Sequence, residues 1–361
     1  MQQDPVRLPG SVPRAATRSM WTRLLAFLRS HPILCLFLLT PGMVEYLSGS
    51  SALANIVLNP VWFVLQLGFN AAMYLPGALL VREAMIRWNK GWPTAFALGG
   101  AYAIMEEGIA DQTILNPFNS PIGGAGVYGH YLGINWLWLP DVLLIHILMS
   151  ICVPILLLDY ALPEIRGKSL LSGRGVVAAV AVISVDTALL GAVVVGFGHY
   201  WYGVGLLVAC IGAIVALIVL GYVLPKHLFP VRPGAPTRGP TAFFLLGAFV
   251  YPLMVVAAAA TASRGASPLL GFLAVVAVPL VFLWVFVRSV GSERNVPQLV
   301  AFSGGLMVLG VILGVATQFT VPLVLLADIS LFVFLRWLYR SHRDPLAAVE
   351  GPPNAVPAHA M

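Results

Sequence analysis

Glu106 and Glu107 sit side by side inside an apolar run, GWPTAFALGGAYAIMEEGIADQ, with Asp111 one helical turn further on. The next apolar run, WLWLPDVLLIHILMSICVPILLL, carries Asp141, His146 and Ser150. No other stretch gathers so many ionisable groups in apolar surroundings. Ionisable groups inside a bilayer are costly, so they face a bundle interior or a wet cavity and mark function. A carboxylate near a histidine supplies general acid–base catalysis, and it equally supplies a proton relay. Low dielectric and like charge both disfavour ionising two adjacent glutamates together. Adjacent helix residues are about 100° apart, so one glutamate is expected to face a cavity and the other a neighbouring helix. Glu107 and Asp111 share a face at i, i+4, as do His146 and Ser150.

Other polar residues join this set with weaker claims. Asp186 reaches mid-depth from a later apolar run, and Asn59, Gln66 and Asn70 share one face of an earlier one. Asp141 follows Leu139-Pro140, where an acid in a helix's first turn suits the helix dipole. A plainer reading makes the two glutamates helix–helix hydrogen-bond partners and His146 a satisfied core histidine. Glu106, His146 and His199 are the residues a metal would use, but no spacing here is a metal-ligand signature. No metal or cofactor is therefore expected. The cysteines Cys35, Cys152 and Cys210 form no CxxC pair and read as packing residues.

The elements that must position these groups are membrane helices. Of 361 residues, 59% are apolar and 9% charged, whereas soluble domains carry about 25% charged residues. Apolar segments near 31–48, 56–81, 92–111, 136–161, 176–198, 202–224, 242–262, 268–289, 298–316 and 319–338 each approach the roughly 20 residues that a spanning helix needs. Ten spans place 19 of the 20 Lys and Arg residues on one side, with Arg264 alone on the other. In this count Arg82, Arg87 and Lys90 belong to the link after the second span. The positive-inside rule then puts both termini in the cytoplasm. The net charge of +6 reflects these flanking residues and does not suggest nucleic acid. Ala52-Leu53-Ala54 has the form of a signal-peptide cleavage site, but the basic region before it is long and Glu45 interrupts the apolar part, so an uncleaved first span is expected. The link 112–135, rich in Gly, Pro and Asn, reads either as a lid or re-entrant loop over the outer mouth or as a plain exposed loop.

Glu106-Glu107 in one membrane helix, followed by His146 in the next, resembles the CAAX prenyl protease and bacteriocin-processing family of intramembrane proteases. That family's pattern is EExxxR, then FxxxH, then HxxxN. Here the first motif reads EEGIAD, with Asp111 at the Arg position, and the second reads VLLIH, with Val142 at the Phe position and His146 matching. No third motif is present, since His199 is followed four residues later by Gly203. The resemblance covers roughly residues 92–160. It implies that Glu106 or Glu107 activates a water and that His146 assists. The same stretch resembles a group of prokaryotic polytopic membrane proteins with a similar EEG and downstream H/P pattern, a likeness that implies no activity.

The sequence thus predicts an all-α polytopic bundle in the cell membrane. Residues 1–30 form a basic tail, 31–338 the membrane domain and 339–361 a second tail. Within the membrane domain, 91–160 holds the polar site and 176–338 an apolar scaffold. The expected activity is a metal-independent intramembrane hydrolase using Glu106, Glu107 and His146, supported by Asp111, Asp141, Ser150 and Asp186, acting on a peptide or small molecule. A proton-coupled transporter and a non-catalytic scaffold are the alternatives. Protease added to intact cells should spare tags at either terminus and cleave a tag at Gly124; cleavage of a terminal tag would refute the span count.

Overall fold

The structure, a computed structural model, describes residues 26–48, 51, 53, 55–118, 127–228, 236–290, 295–318 and 322–343. The two expected tails lie mostly outside these residues. Among them, helices follow the apolar segments in order: α1 Pro32–Tyr46, α2 Pro60–Arg87, α3 Trp92–Ala103 running on into Ile104–Ala110, α4 Trp138–Ala161, α5 Gly173–Gly198, α6 Gly203–Val223, α7 Pro240–Ser263, α8 Pro268–Ser289, α9 Val296–Gln318 and α10 Pro322–Arg343. Seven of these, α2 and α4 to α9, are long and apolar enough to cross a membrane.

Local sequence sets the helix starts. Proline stands in the first turn of α1, α2, α3, α7 and α8, where its missing N–H costs nothing. Asn59, Ser172 and Ser267 accept backbone N–H bonds as side-chain caps of α2, α5 and α8. Asn59 is therefore a cap of α2 rather than a cavity-lining residue. At the other end, α2 runs six residues beyond the expected boundary, to Arg87, and Asn89 two residues on lies in the left-handed region at φ 50°.

Three helices widen locally into π-type i→i+5 turns: α1 over Gly42–Tyr46, α3 over Ile104–Ala110 and α4 over His146–Cys152. In α4 the cause is visible in the sequence. Pro154 has no N–H to give the carbonyl of Ser150, and its ring crowds that turn, so the ladder ahead of it re-pairs at wider spacing.

Helix α4 is the axis of the bundle. Of its most apolar window 72% is buried, against 6% for α6. Around it stand α1, α2 and α3, whose buried Leu36, Met43, Met73, Leu79 and Leu98 pack in one core with Ile151, Ile155 and Leu158 of α4. Helices α5 and α6 cover α2 and α3 from outside, and α7 to α10 form the other flank. Gly99 lets α3 approach α4, since a Cβ there would lie 3.1 Å from the Cα of Ile147. Gly77 leaves room on α2 for the Tyr102 ring. Both contacts bring the acids of α3 against His146.

A separate polar network closes the basic end. Arg82 is 1% exposed, donates to Asp159 Oδ1 at 2.9 and 3.1 Å and to the carbonyls of Ile165 and Lys168 at 2.8 and 2.9 Å. Glu83 accepts from the N–H groups of Leu170 and Leu171 and pairs with Arg87 at 2.8 Å. The expectation that Arg82 sits in a link is thus corrected. It lies within α2 and holds the α4–α5 connection, because its guanidinium finds a carboxylate and two carbonyls there.

The link after α3 is folded in its described parts. Ile114 and Leu115 are buried with Val142, Tyr202 and Cys210. His130–Tyr131 pairs antiparallel with Ile134–Asn135, Asn135 N–H donates to the Ile114 carbonyl at 2.8 Å, and His130 Nε2 lies 3.1 Å from the Leu115 carbonyl. This is a cap over the end of α3 rather than a plain exposed loop; residues 119–126, including Gly124, lie outside the described residues.

Helices α7 and α9 cross at glycine. A methyl at Gly247 would enter the Phe302 carbonyl, and one at Gly305 would enter the Phe244 carbonyl. Gly305→Val should therefore destabilise the folded protein by about 1–3 kcal/mol through overpacking, read as a lowered unfolding midpoint in detergent. Gly212→Ala, where nothing lies within 4 Å, should not lower it.

Candidate functional site

The structure brings Glu106, Glu107 and His146 into direct contact. His146 Nε2 lies 2.7 Å from Glu107 Oε1, and Nδ1 lies 2.9 Å from Glu106 Oε2. Ser150 Oγ is also 2.9 Å from Nδ1 and takes the hydrogen-bond direction there; Glu106 Oε2 is within ion-pair distance but outside hydrogen-bond geometry. The residues are 2% (Glu106), 9% (Glu107) and 3% (His146) exposed.

The expectation that the two glutamates diverge is corrected. Both reach the same imidazole, one at each ring nitrogen. The physical reason is the π segment: i→i+5 pairing changes the angular step along Ile104–Ala110 from that of an α-helix, and Asp111 N–H closes the segment onto the Glu106 carbonyl at 2.7 Å. The ring itself fits between two acids because its nitrogens face different ways.

A second layer holds this core. Thr113 Oγ1 donates to Glu107 Oε2, and Trp138 Nε1 donates to Thr113 Oγ1 at 3.0 Å, so the folded link after α3 fixes one glutamate. The Tyr74 ring stacks at 6.4 Å from His146, and Tyr102 lies at 6.0 Å. Tyr74 Oη donates to Glu45 Oε1 at 2.5 Å, and Ser51 Oγ donates to Glu45 Oε2 at 2.7 Å. Gln66 and Asn70 donate to Ser51 Oγ at 2.9 and 3.0 Å. Two of the three polar residues expected on one face of α2 thus join the site at its edge.

The remaining sequence-derived residues divide. Ser150 is in the core of the site. Asp111 has Glu107 and Glu106 as its charged neighbours. Asp141 stands in the first turn of α4, as its sequence context suggests, with Glu107 as its charged neighbour. Asp186, 5% exposed on α5, has Glu106 as its charged neighbour. His199 is exposed in the left-handed turn after α5 and takes no part. Among the described residues no three His, Cys, Asp or Glu side chains converge as ligands for a metal ion.

Glu45, Tyr74, Tyr102 and Thr113 were not singled out by the sequence. Glu45 carried a usable signal, an acid within an apolar segment. The tyrosines carried none, because an aromatic residue in a membrane helix is ordinarily packing. Several buried polar atoms here make no hydrogen bond among the described residues: Tyr102 Oη, Gln66 Oε1, Asp141 Oδ1 and Asp186 Oδ2.

The chain matches no protein-family model, no curated protein and no solved structure.

Glu45→Gln keeps one acceptor oxygen, so one of Tyr74 and Ser51 retains its bond, whereas Glu45→Leu strands two buried hydroxyls at about 1–3 kcal/mol each. The Leu variant should unfold at a clearly lower temperature in detergent than the Gln variant. Equal midpoints would show that this bond does not hold the site.

Proposed function

We propose that the chain is an intramembrane hydrolase with Glu106, Glu107 and His146 as its acid–base centre. The observation that supports this best is the imidazole held between two buried carboxylates. The partial likeness to the prenyl-protease and bacteriocin-processing family, on the same three side chains, points the same way. In this reading the bundle has ten spans, adding α1, α3 and α10 to the seven long apolar helices, with both ends in the cytoplasm of a cell-membrane protein.

In the proposed reaction Glu106 takes a proton from a bound water as its oxygen adds to the carbonyl carbon of a peptide or small-molecule substrate. The Tyr102 hydroxyl donates to the oxyanion that develops. Collapse breaks the bond to the leaving group, and the proton passes from Glu106 to that group. His146 orients Glu107 through Nε2 and lies within ion-pair reach of Glu106 at Nδ1, where the Ser150 hydroxyl makes the hydrogen bond that fixes the ring.

A proton-coupled carrier is the second reading. It is favoured by the Glu45–Tyr74 bond, a second acid–hydroxyl pair on the ring that stacks on His146, which hydrolysis does not need. Reconstituted protein separates the two, with a fluorogenic peptide screen beside a pH-sensitive dye trapped in liposomes. A hydrolase loses cleavage by about 10²–10⁴-fold in each of Glu106→Gln, Glu107→Gln and His146→Ala. Proton movement by wild type that is lost in the Gln variants, with no cleavage, would replace the hydrolase by the carrier. Wild-type levels of both readouts in every variant would leave a membrane scaffold.

A further inference from the structure

The flank α7 to α10 reads as scaffold, yet one of its side chains reaches the helix that carries His146. Helix α7 packs mainly on α8 and α9. Gly247 lets the Phe302 carbonyl of α9 come close, and Tyr251 stands one turn further along α7. Val250, Tyr251 and Met254 form the buried face of α7 there. Tyr251 Oη leaves that face and donates to the Leu144 carbonyl of α4 at 3.0 Å. A buried hydroxyl without a partner is costly, so this bond fixes the direction of the ring.

Leu144 lies where α4 changes its pairing. The helix is regular from Trp138 to Ile145 and widens into the π turn His146–Cys152. At that junction the His146 N–H is shared between the Val142 and Leu143 carbonyls. A carbonyl oxygen has two lone pairs, so Leu144 takes an outside donor without leaving the backbone ladder. His146 follows about 3 Å further along the axis. The turn that begins there decides where its ring leaves the helix. That ring has to present Nε2 to Glu107 at 2.7 Å and Nδ1 to Ser150 at 2.9 Å.

Tyr251 stands at the edge of this centre rather than in it. Its bond goes to the backbone, and its charged neighbour is Asp141, which has Glu107 as its own. A second tyrosine supplies a comparison. Tyr128 Oη donates to the Ala266 carbonyl, in the turn between α7 and α8. It too joins the flank to the rest of the bundle, but from the link after α3 and not at the π turn of α4.

We infer that Tyr251 is a positioning residue of the acid–base centre, its hydroxyl pinning α4 at Leu144 and so setting how His146 meets Glu107. The role rests on the reading of His146 as a working group, whether in hydrolysis or in proton movement. It gives the flank α7 to α10 a share in the site through a side chain that works on the backbone of α4. Such a pin acts on turnover rather than on binding, because a small misplacement of a reacting group costs up to about 100-fold in rate.

The test is solid-state NMR of the full chain in lipid bilayers, with ¹⁵N-labelled histidine. Tyr251→Phe keeps the ring and removes only the hydroxyl. It should move the His146 Nε2 signal or split it, while Tyr128→Phe leaves that signal in place. Para-aminophenylalanine in place of Tyr251, which restores a donor at the same reach, should return the signal to its wild-type position. In a cleavage or proton-movement assay Tyr251→Phe should lower turnover by about 10–100-fold with KM unchanged, and Tyr128→Phe should not. An unmoved His146 signal in Tyr251→Phe would overturn the inference. So would an equal shift in Tyr128→Phe, which would mark a general loosening of the flank, or a Tyr251→Phe chain that does not fold, since the hydroxyl would then hold the bundle and not the ring. The shift in Tyr251→Phe, found in a chain whose wild type neither cleaves nor moves protons, would count against His146 as a working group and not against the pin at Leu144.

Discussion

The structure depends on an imidazole placed between two carboxylates where water is scarce. In a low-dielectric interior an unpaired charge or an unmade hydrogen bond is expensive, so His146, Glu106 and Glu107 can be buried only together. That requirement dictates much else. Helices α3 and α4 must approach closely, which Gly99 permits, and both must open into π turns where the functional side chains sit. The Glu45 turn of α1 is of the same kind. In all three cases the local departure from the α-helix coincides with a buried or half-buried acid or histidine, a common association for such turns.

Two polar networks hold the bundle at different places and do different work. The one at Arg82 and Glu83 is densely paired: the Arg82 guanidinium makes four hydrogen bonds, to a carboxylate and two carbonyls, and the carboxylate of Glu83 meets backbone N–H groups, a serine and an arginine. Such pairing suits a structural clamp. The one at His146 is built instead from carboxylates around a single imidazole, with Asp111, Asp141 and Asp186 as further acids near them.

Much of this was legible in the sequence. Long apolar runs fixed the helices in order because only a helix satisfies its own backbone in lipid, and ionisable residues in such runs pointed to Glu106, Glu107, His146 and Ser150. Three features were hidden. The joint approach of Glu106 and Glu107 to one ring depends on a π turn, which the α-helical period cannot express. Arg82 looked like an orientation charge at a span end, and its burial depends on the carbonyls of Ile165 and Lys168, far along the chain. Tyr74 and Tyr102 look the same in sequence whether they pack or donate. What decides is whether an acid from another helix meets the hydroxyl, as Glu45 meets Tyr74 across 29 positions.

The most direct test of the central claim is solid-state NMR of the ¹⁵N-labelled His146 side chain in lipid bilayers. The account predicts that both ring nitrogens resonate as hydrogen-bonded sites. Glu107→Gln should move chiefly the Nε2 signal, and Glu106→Gln or Ser150→Ala chiefly that of Nδ1. A spectrum typical of a water-exposed imidazole, or one that none of the three substitutions moves, would contradict it.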